Sequence, residues 1–250
     1  MDSIKTAVLR IADKAKMTSD SSTTKCQLCN DTSFIETGDR MRECECRVQA
    51  RERARLEKLF ASAKIPARYR GKTLENFEAR YQTNAHKIAV DYTQTWPKKN
   101  GESLFFVGPV GTGKSHLARA ILVEMIQRHK IFGLAVTVPN LMDDLRPGAD
   151  EDKREEKLHT LKTIPLLVLD DLGAQKNTEW VTERIFVIIN ARYDELLPTI
   201  ITSNIYLEDL RRVPGWDRIV DRIAEMARPV KMAGENYRLR NKTEANHDTP

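Results

Sequence analysis

Gly108-Pro-Val-Gly-Thr-Gly-Lys114-Ser115 fits the spacing G-x-x-x-x-G-K-[ST], residue types suited to the polyphosphate of a nucleotide. Gly108, Gly111 and Gly113 tolerate the positive φ of an anion-cradling loop, which also includes Pro109, Val110 and Thr112 and is followed by His116. Lys114 would bridge the terminal phosphates, and the Ser115 hydroxyl would hold Mg²⁺. A second group is Leu166-Leu-Val-Leu-Asp170-Asp171, an apolar run ending in two carboxylates. Asp170 would orient Mg²⁺ through water, and Asp171 would polarise the attacking water. Aspartate is one methylene shorter than glutamate, so Asp171 predicts slow turnover. The plainer alternative is a pair of solvated carboxylates capping a strand. The third group is Ile200-Ile-Thr202-Ser203-Asn204, where Asn204 would orient the γ-phosphate and the water. Taken alone, those polar residues would only begin a turn.

Such a loop must lie between a strand and a helix. Ser103-Leu-Phe-Phe-Val107 supplies the strand, and His116 to Arg128 reads as the helix. Gly133 to Val138, Ile164 to Leu169 and Pro198 to Ser203 are further short apolar runs, alternating with longer helical patterns. That alternation predicts an α/β fold with a parallel sheet flanked by helices, and the Gly108 to Ser115 loop placed on it makes this a P-loop NTPase core. Asp143 to Lys157 mixes acidic and basic residues and reads as a mobile insertion.

Cys26, Cys29, Cys44 and Cys46 fall within 21 residues, and no cysteine follows them. Four thiolates from two short turns suit tetrahedral Zn²⁺; unrelated buried or redox thiols are the alternative. Between Arg40 and Arg70 stand ten Lys/Arg against four Asp/Glu, a larger surplus than the +5 of all 250 residues. The positive charge is therefore concentrated at this end. Within it, Val48 to Ala63 has helical composition, with Leu56, Leu59 and Phe60 at helical spacing, and Pro66 ends the run. The composition changes at Gly71, which divides the chain into a small zinc-binding module, 1–71, and an ATPase domain, 72–250.

Residues 1–10 form an amphipathic pattern without an apolar signal core, and Thr18 to Thr24 reads as a linker, so export is not expected. Clustered thiols fit a reducing, cytoplasmic compartment. With 40% hydrophobic residues the chain can build a core. No apolar run approaches the ~20 residues of a membrane-spanning helix.

The order of these motifs, continued by Asp217-Arg218-Ile-Val-Asp221-Arg222 and Asn236-Tyr237-Arg238, resembles the AAA+ ATPases of the DnaC/DnaI helicase-loader and IstB-like group. The resemblance runs from roughly residue 65 to 240 and takes in the lead-in Ile65-Pro-Ala-Arg-Tyr69 with Thr73 to Phe77. It implies an AAA+ core without a full C-terminal lid, binding ATP or ADP with Mg²⁺. It also implies that Arg222 reaches the ATP of a neighbouring subunit, assisted by Arg218, while Arg238 acts on the nucleotide of its own subunit. From the residues alone, Arg222 can equally pair with Asp221 or Glu225.

The cysteine segment, with Arg47 after it, resembles the zinc-bearing N-terminal module of DnaI-like and phage loaders, which docks on the replicative helicase. The implied function is a slow ATPase that self-associates and helps place a hexameric replicative DNA helicase on single-stranded DNA at replication initiation. An IstB-like helper of a DNA transposase is the runner-up. A nucleotide kinase and a zinc-dependent nucleic-acid adaptor with a structural ATP site complete the alternatives. Arg47, Arg51, Arg53 and Arg55 could contact phosphates or form a solvated helix face.

Overall fold

The computed structural model describes residues 26–37, 40–148, 150–234, 236 and 237. Residues 1–10, whose amphipathic pattern predicts a short helix, the Thr18 to Thr24 linker and Arg238 lie outside the described residues. The chain forms two compact units that divide between Glu57 and Lys58, ahead of the compositional change at Gly71.

In the first unit, strands β1 (Phe34–Thr37) and β2 (Arg40–Glu43) pair antiparallel from Phe34↔Glu43 to Thr37↔Arg40. Helix α1 (Glu45–Ser62) starts three residues before the expected Val48. The Arg47 guanidinium lies over the Phe34 ring at 4.6 Å, and Glu43 pairs with both Arg47 and Arg51 at 3.5 Å.

The second unit is built on five parallel strands: β3 (Ser103–Val107), β4 (Gly133–Thr137), β5 (Leu166–Leu172), β6 (Thr199–Ser203) and β7 (Ala227–Lys231). Their order across the sheet is β4-β5-β6-β3-β7, and every adjacent pair is parallel. Helices α2 (Thr83–Tyr92), α3 (Lys114–His129), α4 (Val138–Asp144), α5 (Glu151–Thr163), α6 (Glu179–Asp194), α7 (Leu207–Leu210) and α8 (Asp217–Met226) accompany it. A sheet covered on both faces needs strands that are apolar throughout rather than alternating. All five residues of β3 and of β6 are buried accordingly.

β7 is the strand that the apolar pattern does not reveal. Ala227-Arg-Pro-Val-Lys231 carries two cations and a proline, a composition tolerated at a sheet edge, where one side of the backbone has no ladder partner. The Asp143 to Lys157 stretch folds differently from the expected insertion, forming the end of α4 and the first half of α5. Asp150 caps α5 by accepting the Lys153 backbone N–H at 3.3 Å. The lead-in is tied to the sheet where the Ala135 N–H donates to the Ala63 carbonyl at 3.0 Å, and Leu59, Ala63 and Ile65 are buried. Among the described residues, no helix is long and apolar enough to cross a membrane.

Candidate functional site

At the carboxyl end of β3 the chain turns at Gly108, with φ +150, and enters α3 through Gly111 (φ +85) and Gly113 (φ +99). Any Cβ at Gly108 would run into the Met232 carbonyl oxygen, and one at Gly111 into the Asn236 side chain. One at Gly113 would lie 2.7 Å from Phe77. The loop is thus fitted against the chain that follows β7 and against the lead-in. The Met232 N–H donates to the Val107 carbonyl at 2.8 Å, and the Tyr237 N–H to that of Gly111 at 3.1 Å. The Lys114 ammonium, buried at the start of α3, donates to the Gly108 and Pro109 carbonyls at 2.7 Å each. A buried cation beside the N-terminus of a 16-residue helix is an environment suited to anions.

His116 follows Ser115 on α3. Its Nε2 is 3.0 Å from the Thr73 carbonyl, and the Phe77 ring meets it edge-on at 5.1 Å. Burial holds its imidazole below the ordinary value, despite the Thr73 carbonyl, and Lys72 and His86 push the same way.

The carboxylates lie at the carboxyl end of β5. Asp170 is 2% exposed, and both its oxygens are engaged. Oδ1 accepts the Thr202 hydroxyl at 2.6 Å, and Oδ2 accepts Arg119 at 2.5 Å. The strand pairing shifts register between Leu169 and Leu172, and Asp171 takes φ +60 there, a left-handed conformation that few non-glycine residues adopt. Its N–H donates to Thr202 Oγ1 at 3.0 Å, so this one hydroxyl fixes both aspartates. Ser203 Oγ donates to the Leu172 carbonyl at 2.7 Å, and the Gly108 N–H donates to the Ser203 carbonyl at 3.3 Å. Asn204 follows at the same edge and is exposed.

Lys114, Ser115, Asp170, Asp171 and Asn204 therefore gather along one edge of the sheet. Ser115 and Asp170 supply the oxygens that an octahedral Mg²⁺ prefers. The α8 arginines are held elsewhere in the chain. Arg222 donates to Asn190 Oδ1 at 3.1 Å, stands 3.8 Å from Glu225 and lies over the Tyr193 ring at 4.4 Å. Arg218 lies over Phe186 at 4.5 Å. Asp221 pairs with Arg211 at 2.6 Å rather than with Arg222.

Two participants escape sequence reading. Thr202 reads only as the polar end of a strand. Arg119 carries a usable signal: a charge inside Leu117-Ala-Arg-Ala-Ile-Leu-Val123 has no solvated face to occupy, so it must pair with an acid in the core.

In the first unit the four cysteine sulfurs lie within 4.8 Å of one another. Cys26 and Cys44 are 3.7 Å apart at Sγ, and Cys29 and Cys46 are 3.4 Å apart. Bonds of about 2.3 Å from Zn²⁺ to each corner of a tetrahedron separate the sulfurs by about 3.8 Å, whereas a disulfide needs about 2.05 Å. The cage therefore fits zinc. Hydrogen bonds from the Cys29 backbone, the Cys29 side chain and the Leu28 backbone lower the Cys26 thiol to about 7. Those with Cys29 and Cys44 push Cys46 up. Four adjacent thiols cannot all ionise without a cation among them. Short polar residues shape the turn: Asn30, Asp31 and Ser33 take positive φ, Asp31 accepts the Cys26 N–H at 2.9 Å, and the Cys44 N–H donates to Ser33 at 2.9 Å.

The profile of the IstB-like ATP-binding protein family matches residues 8–245. The chain is 30% identical over 150 residues to the replicative helicase loader DnaI of Bacillus subtilis, 55% of this chain and 48% of that one, so it spans about half that relative's length. It is 28% identical over 220 residues to the putative ATP-binding protein of insertion sequence IS5376 of Geobacillus stearothermophilus, covering 85% of this chain and 84% of that one. Among solved structures, the DnaC helicase loader superposes with a TM-score of 0.61 and 31% identity, over 67% of this chain and 100% of that chain.

Proposed function

The chain belongs to the IstB-like ATP-binding family, with the AAA+ P-loop fold, and from that premise we propose that it is an ATP-dependent loader that places a hexameric replicative helicase on single-stranded DNA. The observation that carries the choice of loader is the four-sulfur cage ahead of the ATPase unit, which suits a zinc-bearing docking module.

In this reading the helix α3 N-terminus and Lys114 receive the β- and γ-phosphates, with Lys114 exchanging its contacts to the Gly108 and Pro109 carbonyls for phosphate oxygens. Ser115 and Asp170 hold Mg²⁺, which when bound neutralises charge on the phosphates. Asp171 accepts the proton of the attacking water, and its short side chain keeps turnover slow. Asn204 orders that water beside the γ-phosphate. Arg222 of one subunit completes the site of the next, leaving its partners Asn190 and Glu225 on assembly. Hydrolysis is thereby tied to self-association, and a cytoplasmic location follows from the partners.

The test is native mass measurement of the full chain mixed with the replicative helicase of its host and ATP. The expected result is a complex that survives in the unaltered chain and is lost in Cys26→Ser/Cys29→Ser. A second reading, a helper of a DNA transposase, draws on the insertion-sequence relative matched over 84% of its length. It prevails if the protein ignores the helicase and forms ATP-dependent assemblies on duplex DNA with a transposase.

A further inference from the structure

Arg119 sits one helical turn beyond Ser115 on α3 and is 1% exposed. Its NH1 reaches Asp170 Oδ2 at 2.5 Å and, more weakly, the Ser115 carbonyl at 3.5 Å. A buried arginine needs its charge compensated. A third partner is aromatic: the guanidinium carbon lies 4.1 Å from the centroid of Tyr69, in the lead-in turn Ala67–Tyr69. Its Nε is buried without a hydrogen-bond partner, so the face toward Tyr69 and the bond to Asp170 hold it in place. A continuous path therefore runs from Tyr69 through Arg119 to Asp170 and on to the Thr202 hydroxyl.

We propose that Arg119 is a positioning residue for the Mg²⁺-nucleotide, and that Tyr69 sets it, so that the lead-in segment controls how strongly the ATP site uses its metal. This rests on the ATPase reading above. Asp170 Oδ2 accepts Arg119 and Oδ1 accepts Thr202, so the carboxylate can turn only its remaining lone pairs toward the metal's water shell. The guanidinium thus fixes the rotamer of Asp170 while also placing a positive charge beside it. A shift of Tyr69 would change that rotamer without any contact between the lead-in and the nucleotide.

The experiment titrates Mg²⁺ against binding of a fluorescent, non-hydrolysable ATP analogue to the full chain, alongside binding in EDTA. In Arg119→Ala, the Mg²⁺ concentration at half-maximal tightening should shift about tenfold, the scale of one charged hydrogen bond, while binding in EDTA changes less than about twofold. Arg119→Lys, which keeps the charge but not the planar fork, should recover part of the shift. Tyr69→Leu leaves the buried ion pair intact and guards against a folding defect; it should move the Mg²⁺ midpoint by about threefold, as expected for a lost cation–π contact. An unmoved midpoint in both Arg119→Ala and Tyr69→Leu, or equal losses with and without Mg²⁺, would overturn the positioning role. Failure of the unaltered chain to bind the analogue at any Mg²⁺ concentration would overturn the ATPase reading and this proposal with it.

Discussion

The four-cysteine unit and the ATPase unit build their sites in opposite ways. In the first, every sulfur comes from a stretch of 21 residues, and the hydrogen bonds that hold the turns presenting them, such as Cys26 to Asp31 and Cys44 to Ser33, stay within that stretch. In the second, one carboxylate is gripped by side chains 51 and 32 residues away in sequence, and the glycine loop is fitted against Met232. A metal site closed by local turns would draw its stability from the ion; a site closed by a sheet draws it from the core. The first unit accordingly exposes Leu28 and Met41, whereas β3 and β6 are wholly buried.

The sharpest way to break this contrast is metal removal. A chelator strong enough to strip zinc should unfold the first unit, since structural zinc contributes roughly 10 kcal/mol or more of folding free energy. Limited proteolysis should then cut near Arg47 and Arg51, while the second unit melts at an unchanged temperature. Loss of both units together would show that they are not independent in this way.

Next in size is Lys114→Ala. Steady-state ATP hydrolysis should fall by about 10²–10³-fold, the usual cost of removing one preorganised electrostatic contact, with bound zinc per chain unaffected. A variant hydrolysing ATP at the original rate would remove Lys114 from the site.

The smallest effect concerns His116. Its folded-state value is depressed below the ordinary 6.5, so the unfolded chain binds the extra proton first as pH falls. Stability is therefore retained above about pH 6.5 and declines as the pH falls below it. Urea denaturation of the His116→Gln variant should lack that share of the slope between pH 6.5 and 5.

Residue types and spacing disclosed the loop, the carboxylates after an apolar run, the cysteine cage and four of the five parallel strands, because each is marked by a run of neighbouring residues. β7 stayed hidden because an edge strand does not need the apolar composition that marks a central one. The Asp143 to Lys157 stretch looked like an insertion because its charges mask a helix whose buried residues, Leu158 and Leu161, come only near its end.

What the sequence by itself determined is the set of candidate groups and their order along the chain, since both depend on short-range spacing. Only the tertiary structure decided who holds them. That Thr202 fixes both aspartates, that Arg119 joins Asp170 to Tyr69, and that Arg222 rests on Asn190 follow from strand order and helix packing. Buried charges and hydroxyls find partners across the sheet rather than along the chain, and no local pattern encodes which partner the fold brings near.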